Sequence, residues 1–198
     1  MRGARKPWLI AAAAGGAVLI CGVAALLPWS FEERLSLATR LTSRWAAFWF
    51  LVAFTARPMS LLIGGPWREI LRQRRCIGLG FAAIHTIHAG CFLWLTAATD
   101  LTRSLSTWIG GGIAYLLIWA MAITSNDASM RALGRNWKRL HLIGGWWVWA
   151  VFVFSYSGRI AGPDTMVLGS IMTTLFLGAG LIRLTMLHRA ARQSGSTP

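Results

Sequence analysis

Cysteine is scarce in this sequence: its 198 residues include only Cys21, Cys76 and Cys91, all within apolar runs. Their spacing fits neither a zinc site nor a disulfide framework, so we interpret them as small core residues. The sequence also lacks a Walker loop, a dinucleotide-binding fingerprint and the nucleophile elbow of a hydrolase. Any flavin or NAD(P)H chemistry would therefore have to come from a separate protein.

Carboxylates are also few, since six Asp and Glu stand against 20 Lys and Arg, which gives a formal net charge of +14. A charge of this size can indicate nucleic-acid binding. The chain is 56% apolar, however, and in such a chain basic residues more often mark the cytoplasmic loops of a membrane protein. We therefore predict that this protein contacts membrane lipid and not nucleic acid.

Apolar runs recur along nearly the whole chain and predict one polytopic, all-α domain over residues 1–198. The first run, between Trp8 and Trp29, is uncharged and too long for the apolar part of a signal peptide. The second is interrupted by Arg57 and Pro58, and the Arg57 side chain can extend to the headgroups. The predicted transmembrane helices lie at about 8–29, 42–62, 76–95, 108–124, 140–156 and 166–184, with a cytoplasmic tail at 185–198.

The basic residues are unevenly divided between the two sides of this six-helix bundle. Six spans place both termini on one side, and most of the Lys and Arg residues fall there. The opposite side holds only Arg34, Arg40, Arg44, Arg103 and Arg159. The positive-inside rule then predicts that both termini are cytoplasmic.

Three of the four histidines lie in predicted spans, His85 and His88 in the third and His141 at the start of the fifth. His188 follows the last span, and we interpret it as an exposed residue near the headgroups. A single buried histidine usually serves packing through an interhelical hydrogen bond. Three on two helices, with no Asp, Glu or Lys at comparable depth, favour axial ligation of haem iron between facing helices.

Helix geometry predicts two levels for these residues. Arg74 precedes His88 by fourteen residues, which at ~100° and ~1.5 Å per residue puts both on nearly the same face, about 21 Å apart. Arg74 and His141 then lie at the cytoplasmic edge and His88 towards the outer side. The residues of the fifth span that are level with His88 are near Phe154 and Tyr156, and none is a histidine.

Three stretches carry a resemblance to a known family: TSRWAAFWFLVAFTARP, RRCIGLGFAAIHTIH and TSNDASMRALGRNWKRLH. They resemble the second helix, the third helix and the start of the fifth helix of the haem-binding membrane subunits of methionine sulfoxide reductase systems (MsrQ-like). Those subunits belong to the ferric-reductase-like transmembrane superfamily, and the resemblance covers about residues 40–185.

The resemblance implies one or two b-type haems held between the third and fifth helices. Electrons would come from a cytoplasmic flavin reductase or the quinone pool and pass to a periplasmic reductase of the molybdoenzyme type. The chain would then be at most an electron-transfer subunit of an oxidoreductase.

The resemblance also implies roles for particular residues. His88 matches the third-helix ligand of an outer haem, His141 matches the fifth-helix ligand of an inner haem, and Arg74 matches an arginine at the inner haem. From the cytoplasmic basic cluster we predict Arg74 and Arg139 as contacts of the haem propionates. Topology together with anionic lipid would also explain that cluster.

One position departs from the family, because a second histidine of its fifth helix falls on Phe154, which cannot ligate iron. Three arrangements stay open. His88 alone, or His85 in its place, could hold an outer haem with an open coordination site for a small molecule such as oxygen or superoxide. Tyr156 could supply an oxygen ligand, or the inner haem could be the only one. Phe154 also favours a competing interpretation, a haem-free protein of the same scaffold with a packing or transport role.

Overall fold

The computed structural model describes residues 5–99, 102 and 104–194, which form seven helices and no strand. The helices are α1 (Trp8–Ala25), α2 (Phe31–Leu62), α3 (Pro66–Ala98), α4 (Leu105–Ile123), α5 (Asp127–Leu133), α6 (Arg135–Ser157) and α7 (Met166–Ser194). All but α5 contain a stretch long and apolar enough to cross a membrane, which confirms the predicted all-α bundle of six spans. Arg103 and the last residues of the predicted tail lie outside the described residues.

The helices differ from the predicted ones mainly at ends that carry charge. The helix α2 begins at Phe31 rather than near 42, because Ser30 and Glu33 form a capping box in which the Glu33 carboxylate accepts from the Ser30 amide at 2.9 Å. Similarly, α3 begins at Pro66 rather than near 76, with proline at its first turn. The predicted first helix ends early, at Ala25, and α7 runs through the predicted tail to Ser194. Apolar runs alone could not locate these ends.

Two helices are longer than a membrane is thick. With 32 and 33 residues, α2 and α3 extend about 48–50 Å, against about 30 Å for the hydrocarbon core. The first turns of both helices are rich in charge, with Glu32, Glu33 and Arg34 on α2 and Arg68 and Glu69 on α3. These charged ends therefore project beyond the hydrocarbon.

An aromatic cluster fills the centre of the bundle where α2, α3, α6 and α7 meet. Phe50 of α2 lies 5.3 Å from Phe81 of α3 and 5.5 Å from Phe152 of α6, measured between ring centroids. Phe152 in turn lies 5.0 Å from Phe176 of α7. Helices α2 and α3 form the most extensive pair, with α1 against both, while α6 packs on α4 and α7. The helices α3 and α6 therefore meet mainly through side chains.

The outward surface of the bundle is apolar. Leu19 of α1, Leu116 of α4 and Leu181 of α7 are each exposed over more than 60% of their surface. Such residues would be unfavourable in water but suit contact with lipid acyl chains, and the helices satisfy their own backbone groups. The chain is a multi-pass membrane protein.

Close contact between α1 and α3 depends on a glycine. A Cβ atom built on Gly80 would lie 2.8 Å from the Cβ of Ala13 and 3.2 Å from the Trp49 ring. A Cβ built on Gly78, on another face of the same helix, would meet nothing within 4 Å.

We expect Gly80→Ala to lower the free energy of unfolding in detergent by about 1–3 kcal/mol, since neither backbone can retreat without loss of packing. Gly78→Ala serves as the matched control and should be neutral or stabilising, because alanine favours the helix by up to ~1 kcal/mol over glycine. Thermal unfolding of the purified variants measures both. Equal melting temperatures would contradict the close contact.

An ion cluster joins the N-terminal segment, α3 and α5. The Asp127 carboxylate accepts hydrogen bonds from Arg75 at 2.7 Å and from Arg5 at 3.1 Å. These guanidinium groups, Arg75 foremost, hold the pKa of Asp127 below its ordinary value. A carboxylate of this kind contributes stability above its ordinary pKa, and the contribution is lost as the pH falls through the lowered pKa.

We therefore expect Asp127→Asn to speed hydrogen exchange of the α5 amides relative to the unaltered protein at neutral pH. The difference should persist at mildly acidic pH and disappear as the pH falls through the lowered pKa of Asp127, where the native carboxylate also loses its charge. Exchange mass spectrometry of both proteins at each pH measures it. Asp164→Asn, on the loop between α6 and α7, is the control and should leave α5 unchanged.

Candidate functional site

His88 of α3 is anchored on α2 by its Nδ1 atom. This nitrogen lies 3.1 Å from the carbonyl oxygen of Thr39 and 3.2 Å from the Thr42 hydroxyl. A carbonyl oxygen only accepts, so Nδ1 carries the hydrogen and donates it. The Thr42 hydroxyl donates to the Ala38 carbonyl at 2.7 Å and is free to accept. The lone pair of His88 is thus on Nε2, the tautomer that a metal-ligating histidine uses.

His85 lies one turn before His88, in an aromatic environment. Its ring centroid is 5.4 Å from those of His88 and Phe81, 6.3 Å from that of Tyr115 on α4, and 6.5 Å from that of Phe152 on α6. The Nδ1 atom is buried and has no hydrogen-bond partner among the described residues. A buried, unsatisfied polar atom costs about 1–3 kcal/mol. His85 is therefore a buried imidazole with a nitrogen that no described protein group binds.

His141 of α6 shows the same arrangement as His88 with different partners. Its Nδ1 donates to the carbonyl oxygen of Trp137 at 3.0 Å, and the Trp137 ring stacks on the imidazole with centroids 3.9 Å apart. The Nε2 atom lies 3.4 Å from the hydroxyl of Ser125, which itself donates to the Met121 carbonyl at 2.6 Å. Unlike that of His88, the Nε2 atom of His141 is not open, since it faces the Ser125 hydroxyl and lies near the Met121 carbonyl at the end of α4.

The three histidines lie at two levels of the bundle. Ser125, which contacts His141, is two residues from Asp127, which binds Arg75 of α3. His141 is therefore level with the start of the apolar part of α3. His85 and His88 follow Arg75 by ten and thirteen residues, or about 15–20 Å along the helix. The structure brings His85 and His88 together and leaves His141 at the other level.

On α6 the face towards the core repeats every fourth residue: Gly144, Val148, Phe152 and Tyr156 are buried. Phe154, by contrast, is 68% exposed on the outer surface of the bundle, while Tyr156 is 1% exposed. In this register a residue at position 154 of any type faces away from α3. The inward residue at the level of His88 is Tyr156, whose buried hydroxyl lies near the Ser43 side chain of α2 without well-aligned hydrogen-bond geometry.

Three arginines converge beside Pro58 of α2. Proline has no amide hydrogen, so the carbonyl of Phe54 loses its helical donor. Arg183 of α7 donates to this carbonyl at 3.3 Å and lies over the Phe54 ring at 4.2 Å, while Arg74 of α3 donates to the Ala53 carbonyl at 3.0 Å. Arg57 adds a third charge, and the three repel one another.

This arginine cluster, Arg57, Arg74 and Arg183, has no carboxylate partner among the described residues, whose salt bridges lie at Glu69 and Asp127. Arg74 and Arg183 are half-buried, and charges in such positions are normally paired, whereas Arg57 is exposed. The cluster therefore has the character of an anion site at the level of His141. Arg139, the other predicted propionate contact, is exposed beside an open surface depression that Leu133, Arg135 and Asn136 also line.

The sequence reasoning missed several of these residues. Thr39 and Thr42 lie more than forty positions from His88, and no sequence signal links them to it. Arg183 had a signal, since it is a charge within an apolar span. Pro58 had one as well, because a proline inside a helix exposes the carbonyl four residues earlier.

Comparison with curated proteins identifies relatives by sequence similarity. Among curated proteins, the protein-methionine-sulfoxide reductase heme-binding subunit MsrQ of Xanthomonas campestris pv. campestris (strain B100) is 32% identical over 108 residues, 52% of this chain and 49% of that protein. The MsrQ subunit of Azospira oryzae is 31% identical over 110 residues, 52% and 46% of the two chains. That of Bordetella pertussis is 30% identical over 110 residues, 52% of each.

The chain spans about half the length of the curated relatives it matches. No solved structure matches it. The family described as "Ferric reductase like transmembrane component" matches residues 26–154, which is more than half of the chain and includes His85, His88 and His141. This chain therefore belongs to the ferric reductase like transmembrane component family.

Proposed function

We propose that this chain is a b-type haem protein of the bacterial inner membrane that passes electrons across the bilayer. One observation carries the proposal. At two levels of the bundle, His88 and His141 each donate Nδ1–H to a main-chain carbonyl, which leaves Nε2 as the nitrogen that could ligate a metal. At His141 this nitrogen would exchange its contact with Ser125 for the metal. The family membership and the heme-binding relatives support the same reading.

The described side chains include the donors that a haem group requires, imidazole nitrogens for iron and guanidinium groups for propionates, although an aromatic cluster fills the space between α3 and α6 in this structure. Bound haem supplies reversible one-electron chemistry at its iron, while the protein supplies ligands, orientation and electrostatics. His141 is the proposed ligand at the inner level and His88 at the outer level. His85 is the substitute for His88, since its unpartnered nitrogen lies beside the same position. The number of haems, one or two, follows from whether both levels are filled.

The arginine cluster supplies positive charge for haem propionates at the inner level. Arg74 was the predicted contact, and Arg183 joins it by donating to the neighbouring carbonyl of α2. The Arg74 and Arg183 guanidinium groups each use part of their donors on a backbone carbonyl and keep further N–H groups for an anion. Arg139 is exposed, and in this proposal it contacts a propionate edge or attracts an acidic electron donor.

The direction of electron flow follows from the proposed orientation, with both termini cytoplasmic. The level of His141 and Arg74 then faces the cytoplasm, and the level of His88 faces the periplasm. The proposed donor is a cytoplasmic flavin reductase or the quinone pool, because the sequence has no nucleotide-binding fingerprint of its own. The proposed acceptor is a periplasmic reductase of the molybdoenzyme type.

A second candidate function rests on the α6 register. Since Phe154 faces outward and Tyr156 faces inward, α6 offers no imidazole opposite His88. An outer haem held by one histidine has an open position at which oxygen or superoxide could bind. Carbon monoxide that shifts the spectrum of the reduced protein would support this candidate, and an unchanged spectrum would contradict it.

We expect His141→Ala and His88→Ala each to lower the haem bound per polypeptide, and the double variant to bind none, because each removes the ligand of one level. A pyridine haemochrome assay on purified protein measures the ratio. His188→Ala is the matched control, since this histidine is exposed beyond the last span. Protein without a Soret band after expression with ample haem would overturn the proposal and favour the haem-free scaffold.

His85→Ala separates the two candidates for the outer level. If His88 is the outer ligand, His85→Ala should keep most of its haem. If His85 is the outer ligand, His85→Ala should lose the outer haem. The comparison uses the same assay.

We expect Arg183→Gln and Arg74→Gln to lower the midpoint potential of the haem at the inner level by tens of millivolts. Nearby positive charge favours the reduced form, which carries one positive charge less. Spectroelectrochemical titration of the purified variants measures the shift. Arg68→Gln removes an exposed charge from the start of α3 and is the control. Equal potentials in all three variants would contradict a role of the cluster at the haem.

A further inference from the structure

Two of the three cysteines meet where α1 contacts α3. The Sγ atoms of Cys21 and Cys91 lie 3.6 Å apart, and both residues are free thiols in this structure. Seventy positions separate them, so the sequence spacing gave no sign of the contact. Cys76 is different, because it is 5% exposed in the core, as predicted for a small packing residue.

The surrounding helices hold the two thiols in register. Ala13 of α1 contacts Gly80 of α3, and further along the same two helices Cys21 contacts Cys91. The helices α1 and α3 therefore run in the same direction and stay close over this length. The described residues contain no group of three or more His, Cys, Asp or Glu side chains that could hold a metal ion.

We propose that Cys21 and Cys91 form an intramolecular disulfide that fixes α1 to α3 in the assembled membrane protein. A separation of 3.6 Å is a van der Waals contact, and an S–S bond of about 2.05 Å requires the sulfurs to approach by little more than 1.5 Å. Both side chains are only partly buried, which leaves room for that rotation.

The chemistry is thiol–disulfide exchange with an exported thiol oxidase. The thiolate of one cysteine attacks the oxidase disulfide, which forms a mixed disulfide and releases one oxidase thiol. The second cysteine then attacks the mixed disulfide, which forms the Cys21–Cys91 bond and releases the other thiol. Two electrons and two protons pass from the cysteines to the oxidase. The step rests on the proposed orientation, which puts both cysteines in the outer halves of their helices, on the oxidising side.

The cross-link would act on the part of α3 that carries the outer histidine. Cys91 follows His88 by three residues, one helical turn, and Cys21 lies on α1, outside the matched family region 26–154. The helix α1 has few buried residues, only Ala13, Ala17 and Ala24. A disulfide therefore attaches the least buried of the first three helices to the helix that positions His88.

The test uses the full chain with Cys76→Ala, so that Cys21 and Cys91 are its only thiols. Membranes are quenched with acid, free thiols are blocked with N-ethylmaleimide in denaturant, and the protein is then reduced and treated with a polyethylene-glycol maleimide. A disulfide gives two mass additions per chain on a gel. The same protein with Cys21→Ser or Cys91→Ser should give none, because the remaining thiol is blocked in the first step.

No mass addition to the two-cysteine protein would overturn the proposal, and so would a dimer on a non-reducing gel, which would show that the cysteines pair between chains. The accessibility of a C-terminal tag in intact cells reports the orientation separately. As a second readout, the purified two-cysteine protein should melt at a higher temperature than its Cys21→Ser variant, and reductant should abolish the difference. A difference that survives reduction would mean that the serine itself perturbs packing, and the cross-link would not be the cause.

Discussion

Every polar group at membrane depth must find its partner inside the protein, because lipid offers none. The bundle meets this constraint through its main chain. His88 and His141 donate to carbonyls of Thr39 and Trp137, and Arg74 and Arg183 donate to carbonyls of Ala53 and Phe54. These bonds satisfy one side of each group. Among the buried groups that stay unsatisfied, the nitrogen of His85 is the one that the proposed outer haem would complete, and the arginine cluster holds charge that propionates would pair.

The helix α3 organises both levels of the proposed site. It carries Arg74 and Arg75 near its start and His85 and His88 further along, and α2 packs against it over most of its length. The contribution of α6 is a single histidine at the inner level. Beyond it, that helix presents aromatic rings to the core, so the two levels are built differently. The level of His141 combines an imidazole, the arginine cluster and a stacked tryptophan, whereas the level of His88 has two neighbouring imidazoles.

The six spans and the depth of the histidines could be predicted from the sequence, because apolar run length and helical periodicity are local properties. The start of α2 at Phe31 could also have been predicted, since Ser30 and Glu33 have the sequence pattern of a capping box. The directions of the side chains on α6 could not be predicted from the sequence. Phe154 and Tyr156 are two residues apart, and only the packing of α6 against α7 and α4 decides which of them faces inward. The partners of His88 were equally hidden, because contacts between distant segments depend on how α2 and α3 slide past each other.

Because of Pro58, one hydrogen bond of the bundle forms only when the last helix packs. Proline leaves the Phe54 carbonyl of α2 without a helical donor, and the donor that replaces it is Arg183 of α7. A chain with only its first five spans in the bilayer would therefore leave the Phe54 carbonyl without a donor. Only two of the three arginines, Arg57 and Arg74, would be present at this position. Arrival of α7 closes the acceptor and adds the third guanidinium in the same event. A truncated polypeptide would lack not only a helix but the finished electrostatics of the inner level.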